Sequence, residues 1–181
     1  MKQSTKIQRQ RPASPLPTKP GAAHQRLNVF IGRWDMEGEQ LKGFVGPAAK
    51  ITAAQTYEWV AGGFFMVQRF DALVGGSEAA CIEIVGYDAR SRTYPVQTYY
   101  NNGSTKKWQM TERDGIWTLT GSSKMGGKSM KVRCTTVFTD ANKTMTGKWE
   151  QSRDDSSWQT FWNFQARKSN ARSGKSACPS S

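Results

Sequence analysis

From residue 33 to residue 167 the chain repeats one motif: a run of alternating or apolar residues, a cluster of turn residues, then another run. Successive side chains of a strand point to opposite faces, so period-two alternation marks half-buried strands, whereas an amphipathic helix repeats every three to four residues. The runs fall at about 33–40, 50–60, 63–71, 79–88, 94–101, 104–113, 115–121, 128–139, 143–152 and 157–167. Asn102-Gly103 and Asp114-Gly115 are two-residue hairpin signals. Gly75-Gly76 and the stretches 88–92 (DARSR), 140–143 (DANK) and 154–157 (DDSS) mark further turns. Short strands joined in sequence make an antiparallel meander. With about ten strands and almost no helix to cover an edge, closing the sheet on itself removes its unpaired edges. The expected fold is all-β: an antiparallel up-and-down barrel of about ten strands with a short N-terminal helix over 22–32, where Ala23, Leu27, Phe30 and Ile31 have helical spacing and Gly32 stops it.

The ends of the chain do not share this pattern. Residues 12–20 (PASPLPTKP) contain four prolines, and 168–181 are mostly Ser, Lys, Ala and Gly with little to bury. Neither segment can offset the entropy of ordering, so both read as disordered. The expected organisation is a basic tail at 1–22, a barrel domain at 23–167 and a second basic tail at 168–181. The formal net charge of +12 sits mainly toward the ends: Lys2, Lys6, Arg9, Arg11, Lys19 and Arg26 within 1–26, Arg167, Lys168, Arg172 and Lys175 within 166–181, with no acid in either stretch. Setting these ten aside leaves 16 basic residues against 14 acids. Contact with nucleic acid or an anionic surface through the tails is therefore one function to weigh, while the charge-balanced centre gives no sign of specific nucleic-acid recognition.

Several other classes find little support. No apolar run approaches the roughly 18 residues that span a membrane, and the start of the chain lacks a charged-then-apolar signal peptide. Cys81, Cys134 and Cys178 are odd in number and widely spaced, which fits reduced thiols in a cytoplasmic protein. Residues 121–130 (GSSKMGGKSM) end in the Gly-Lys-Ser of a phosphate loop, but the required earlier glycine is replaced by Ser122, and a strand rather than a helix follows. Residues 121–129 read instead as a glycine-rich connection between strands.

The stretch LNVFIGRWDMEGE, with Gly32-Arg33-Trp34 entering the first strand, resembles the start of lipocalins and their calycin relatives. VAGGFFMVQRFD (60–71) and VGYDARSRTYPVQTYYNNGS (85–104) are similar to an uncharacterised, mostly bacterial family of lipocalin-like barrels, with nitrobindin-type proteins a more distant comparison. The resemblance covers roughly 27–167. It implies a calycin-like barrel in which Trp34 closes one end and stacks on an arginine of the last strand, Arg167 by position, and in which 41–49 (LKGFVGPAA) matches the long first loop that lids the mouth. Nitrobindin-like proteins bind haem through a histidine late in the barrel. This chain has one histidine, His24, ahead of the first strand, so no cofactor is expected and His24 reads as a surface residue at the helix start.

With no histidine in the barrel, Ser-His and Cys-His nucleophile arrangements are not expected there, and no His, Cys, Asp or Glu cluster has metal-ligand spacing. Asp35, Glu37 and Glu39 share one face opposite Trp34 and Met36 and read as solvated. Glu83 lies between Ile82 and Ile84 and is expected to point outward; Glu112, before the Asp114-Gly115 turn, is expected at a rim. The barrel region carries all seven tryptophans and all five tyrosines. Alternation places Trp108, Met110, Met145, Trp149 and Trp162 on interior faces, with Gly147 leaving room beside them. Tyr100 and Gln68 serve as polar handles, and Met66 shares a face with Gln68 on a strand that is apolar on both sides. These eight are the candidate ligand-binding residues. They either line a pocket for a small apolar or aromatic molecule or simply fill the barrel. Binding of such a molecule is the leading expectation. An enzyme of isomerase or cyclase type using the same interior is the alternative, and a homodimer is compatible with either.

Overall fold

The computed structural model describes residues 19–43, 46–125 and 127–169, and the basic tails expected at the two ends otherwise lie outside the described residues. Ten strands form one closed antiparallel barrel: β1 (Gly32–Gln40), β2 (Ala49–Trp59), β3 (Met66–Val74), β4 (Ser77–Val85), β5 (Tyr94–Tyr100), β6 (Thr105–Arg113), β7 (Ile116–Met125), β8 (Lys128–Thr139), β9 (Thr144–Ser152) and β10 (Gln159–Ser169). Every strand pairs with its neighbours in sequence, and β10 closes the sheet on β1 with Arg33 opposite Ser169. A short helix, α1 (Ala22–Arg26), runs into a single 3₁₀ turn at Leu27–Val29, a shorter element than the helical spacing suggested.

The turns form where the sequence signals them. Asp114 and Gly115 have φ of 53° and 79°, and Gly75 and Gly76 have 57° and 87°. Positive φ at both central residues is the hairpin geometry that matches strand twist, and Gly and Asp reach it at little steric cost. Strand boundaries shift by a few residues from the sequence reading, and two of the shifts have a plain cause. Gly62 and Gly63 turn with φ of 95° and 71°, so β3 starts at Met66 rather than at 63. Residues 121–125, expected as a loop, continue β7: Gly121, Ser122 and Ser123 pair with Val132, Lys131 and Met130. Ladder pairing with β8 outweighs the weak strand preference of a Gly-Ser-Ser run.

One end of the barrel is plugged. Leu27 and Phe30 enter it from the α1 segment, and Trp34 is wholly buried beneath them with its indole Nε1 donating to the Phe30 carbonyl at 2.7 Å. Phe30 packs against Tyr57, Trp117 and Phe138, with ring centroids 5.4, 5.0 and 5.0 Å apart. Burial of such side chains contributes about 1.5–3 kcal/mol each. The cation over Trp34 is Lys168, its Nζ 5.1 Å from the ring. Arg167, expected in that role, faces outward opposite Asp35: a slip of one residue along a strand exchanges the two faces. His24 is buried, not a surface residue. Its Nδ1 accepts the Gly21 N–H at 3.1 Å, and its ring packs edge-on against Phe64 and Tyr87.

Candidate functional site: the barrel interior

Above the plug the barrel is hollow. A cavity of about 300 Å³ runs from the plug toward the opposite end, where Ala79, Lys106 and Trp162 mark the mouth. All eight candidate side chains lie on its wall: Met66, Gln68, Tyr100, Trp108, Met110, Met145, Trp149 and Trp162. Period two explains their convergence, because each sits on the inward face of its strand. On β3 the orientation left open by the sequence resolves with Met66, Gln68 and Phe70 inward and Arg69 outward.

The two sides of the cavity differ in chemistry. Trp117, Leu119, Val132, Met145, Trp149, Phe161, Trp162 and Phe164 make an apolar wall on β7–β10. Trp108 reaches across to it, its ring centroid 5.6 Å from that of Trp149. Gly121 makes this possible: a Cβ there would lie 2.4 Å from Trp108 Cε3, so the indole lies directly against the β7 backbone. Gly147 likewise leaves space, but Phe164 takes it, with its Cζ 2.5 Å from where a Cβ would stand.

The polar side runs across β2 to β6. Gln55 Oε1 accepts from Tyr57 Oη and from Gln68 Nε2, each at 2.9 Å, and its Nε2 meets Met36 Sδ at 3.6 Å. On the next strands Trp108 Nε1 donates to Thr98 Oγ1 at 3.0 Å, and that hydroxyl donates to Glu83 Oε1 at 2.7 Å. Glu83 therefore points inward, against the sequence expectation, while its neighbours Ile82 and Ile84 are the exposed ones, at 43% and 38%. Burial holds the Glu83 carboxyl above the ordinary carboxylate range, and the Thr98 hydrogen bond pulls it partly back. Burial, and then the Glu83 charge, raise the Tyr57 and Tyr100 phenols and push the Cys81 thiol to about 12. Cys134 is also pushed up to about 12, by burial. At the mouth Lys106 donates from Nζ to Ser123 Oγ at 2.7 Å and lies over the Tyr100 and Trp108 rings; burial lowers its ammonium pKa.

Glu112 lies outside this space. It is at the plugged rim, where Arg26 Nη1 meets its Oε2 at 2.7 Å and the Gly115 N–H its Oε1 at 2.9 Å. The loop expected to lid the mouth is described in part: Gln40 Nε2 donates to the Pro47 carbonyl at 2.8 Å, and Gln40 Oε1 accepts from Trp162 Nε1 at 3.1 Å. Phe44 and Val45 lie outside the described residues. Among the described residues no group of three or more His, Cys, Asp or Glu is placed to hold a metal ion, and no helix is long and apolar enough to cross a membrane.

Sequence reasoning missed Glu83, Gln55, Tyr57, Phe161 and Phe164 as wall residues. Gln55 and Tyr57 share a face two residues apart, a signal that was available. For Glu83 the only signal was register.

The model of a family described as a protein of unknown function (DUF1579) matches residues 19–168. No curated protein matches the chain. Among solved structures, Rv2717c from M. tuberculosis is similar with a TM-score of 0.59 at 9% identity, over 83% of this chain and 99% of that one. The S-type phycobiliprotein lyase CPES from Guillardia theta is similar with a TM-score of 0.54 at 8% identity, over 82% and 93% of the two chains. At these identities the likeness is one of fold.

Proposed function

The chain belongs to the family of proteins of unknown function DUF1579, and from its interior we propose that it binds a small apolar or aromatic molecule inside a lipocalin-like barrel. The observation that carries this reading is the cavity. Its volume of about 300 Å³ is at the lower end of the range for small-molecule sites, which are typically apolar with a few convergent polar groups. Plug and pocket divide the aromatic residues between them: Phe30, Trp34 and Phe138 fill one end, while Trp108, Trp149 and Trp162 wall the space above. The eight candidate residues are the proposed ligand contacts, with Glu83 and Gln55 added as polar partners and Thr98 holding Glu83 from behind.

An environment-sensitive apolar dye should enter with one-to-one stoichiometry and quench tryptophan fluorescence, and Met145→Trp, which fills the space, should abolish the effect. Dye that leaves the tryptophans unchanged, or binds equally well to the filled variant, removes the reading. Native mass spectrometry of protein taken from its own source should show a retained small molecule.

A second reading, an isomerase or cyclase working in the same space, draws support from one observation, a desolvated carboxyl inside an aromatic cavity. Its acid or base is Glu83 and not the rim residue Glu112, so turnover should vanish in Glu83→Gln and persist in Glu112→Gln. We place the protein in the cytoplasm, a reading to which the two free thiols Cys81 and Cys134 lend support. The outward faces of β4 and β5 expose Ile82, Ile84 and Tyr99, with Phe65 beside them just ahead of β3, a surface suited to a homodimer. Light scattering should report a dimer that Ile82→Glu converts to monomer; a monomeric native protein rejects it.

A further inference from the structure

The interior leaves one oxygen of one carboxyl group free for a ligand. An indole N–H only donates. Trp108 Nε1 is 3.0 Å from Thr98 Oγ1, so that hydroxyl accepts there and its own hydrogen goes to Glu83 Oε1, 2.7 Å away. Among the described residues Glu83 has no other hydrogen bond or ion pair, which leaves Oε2 without a protein partner. That oxygen is not sealed in protein, since Glu83 lines the cavity and its carboxylate is not among the enclosed polar atoms that lack a partner.

The groups facing Glu83 are Tyr57 on β2, Cys81 on its own strand, Tyr100 on β5, Lys106 on β6 and Cys134 on β8. The phenols and thiols are all held above their ordinary values and stay neutral near pH 7. Lys106 makes no ion pair with Glu83; its Nζ is held at the mouth by Ser123 and two ring faces. The cavity thus presents a lone, unpaired acid in a space walled by several aromatic rings. Both features favour a cation: the carboxylate through a charge-assisted hydrogen bond, the rings through their negative faces.

The geometry points to a ligand that joins an aromatic or apolar body to a single basic nitrogen, the nitrogen donating to Glu83 Oε2 and the body lying against Trp108, Trp149 and Trp162. This rests on the binding reading above and names the class of molecule that the site selects. A neutral alcohol also donates a hydrogen bond to Oε2 but brings no charge to pair with the carboxylate. A carboxylic acid is repelled by ionised Glu83 and has to be held at the mouth by Lys106 instead.

Three isosteric probes separate these cases: 4-phenylbutylamine, 4-phenylbutanol and 4-phenylbutyrate, titrated calorimetrically into the full chain at pH 8. The amine should bind about tenfold or more tighter than the alcohol, the lower end of what a close, desolvated charge pair supplies. Glu83→Gln keeps an oxygen for the Thr98 hydroxyl and removes the charge; it should bring the amine down to about the alcohol's affinity. Lowering the pH should narrow the gap between amine and alcohol, because Glu83 then holds its own proton. Equal affinities in the native protein, or a preference that survives Glu83→Gln, overturns the inference. So does tightest binding of the butyrate, lost in Lys106→Met. If the apolar dye binds while the amine shows no advantage, only this inference falls. If neither the dye nor any of the three probes enters, the binding reading falls with it.

Discussion

Replacing Gly121 by alanine is expected to destabilise the protein by about 2 kcal/mol, although it adds a single methyl group to a strand. The added Cβ would stand 2.4 Å from Trp108 Cε3 and 3.0 Å from Cζ3. The indole cannot bend away as a flexible chain would. Its ring packs edge-on against Trp149, and its Nε1 is tied to Thr98. Overpacking of this kind costs about 1–3 kcal/mol, and losing the Trp108–Thr98 hydrogen bond adds about 1 kcal/mol. Alanine recovers roughly 0.5–1 kcal/mol of backbone entropy relative to glycine. The balance lowers the melting temperature by about 4–8 °C for a chain of this size. Guanidinium unfolding followed by tryptophan fluorescence should show a lower midpoint at unchanged slope. A double-mutant cycle with Trp108→Phe locates the cause: the smaller ring relieves the clash, so the two substitutions should be non-additive by about 1 kcal/mol or more. An unchanged midpoint, or strict additivity, would refute the packing of Trp108 on the β7 backbone.

The folded-state pKa of Glu83 is raised, so the folded protein favours the neutral acid. Stability is therefore lost as pH rises from the unfolded-state value through the folded one, and Glu83→Gln should match the native protein at low pH and exceed it near neutrality; parallel melting temperatures at every pH would contradict this. Lys168→Ala should cost about 0.5–1 kcal/mol through its lost contact with Trp34, and Arg167→Ala no more than about 0.5 kcal/mol; the reverse order in chemical denaturation would restore the arginine to the plug. With their pKa values pushed to about 12, Cys81 and Cys134 should react slowly with a disulfide reagent at pH 8 and rapidly once the chain is unfolded; fast reaction of both in the native protein would count against their burial.

Alternation made the barrel legible, because closing a meander requires each strand to keep one face in and one face out. The same rule brought Trp108 and Met110 on β6, and Met145 and Trp149 on β9, to a common interior. It failed where composition spoke against geometry. Glu83 was read as outward because its isoleucine neighbours looked like core, yet apolar residues also occupy surfaces, and here Ile82 and Ile84 do. Gly-Ser-Ser at 121–123 looked like a loop, because nothing local reveals that β8 extends far enough to pair with it. His24 and the Trp34 cation were out of reach for other reasons. A five-residue helix carries too little periodicity to orient a side chain, and of the adjacent cations Arg167 and Lys168 only the register of β10 decides which one turns toward Trp34.

The seam between β1 and β10 has a practical consequence. With Arg33 opposite Ser169, the two ends of the barrel leave it side by side, next to the plug and away from the mouth. A linker across the plugged end, from Ser169 to Pro20 beside Gly63, would close the chain with the plug kept, and the chain could be cut afresh at the Asp140–Asn142 turn, also at the plugged end. Such a circular permutant would carry the same ten staves in the same hoop, with the entrance untouched by either scar.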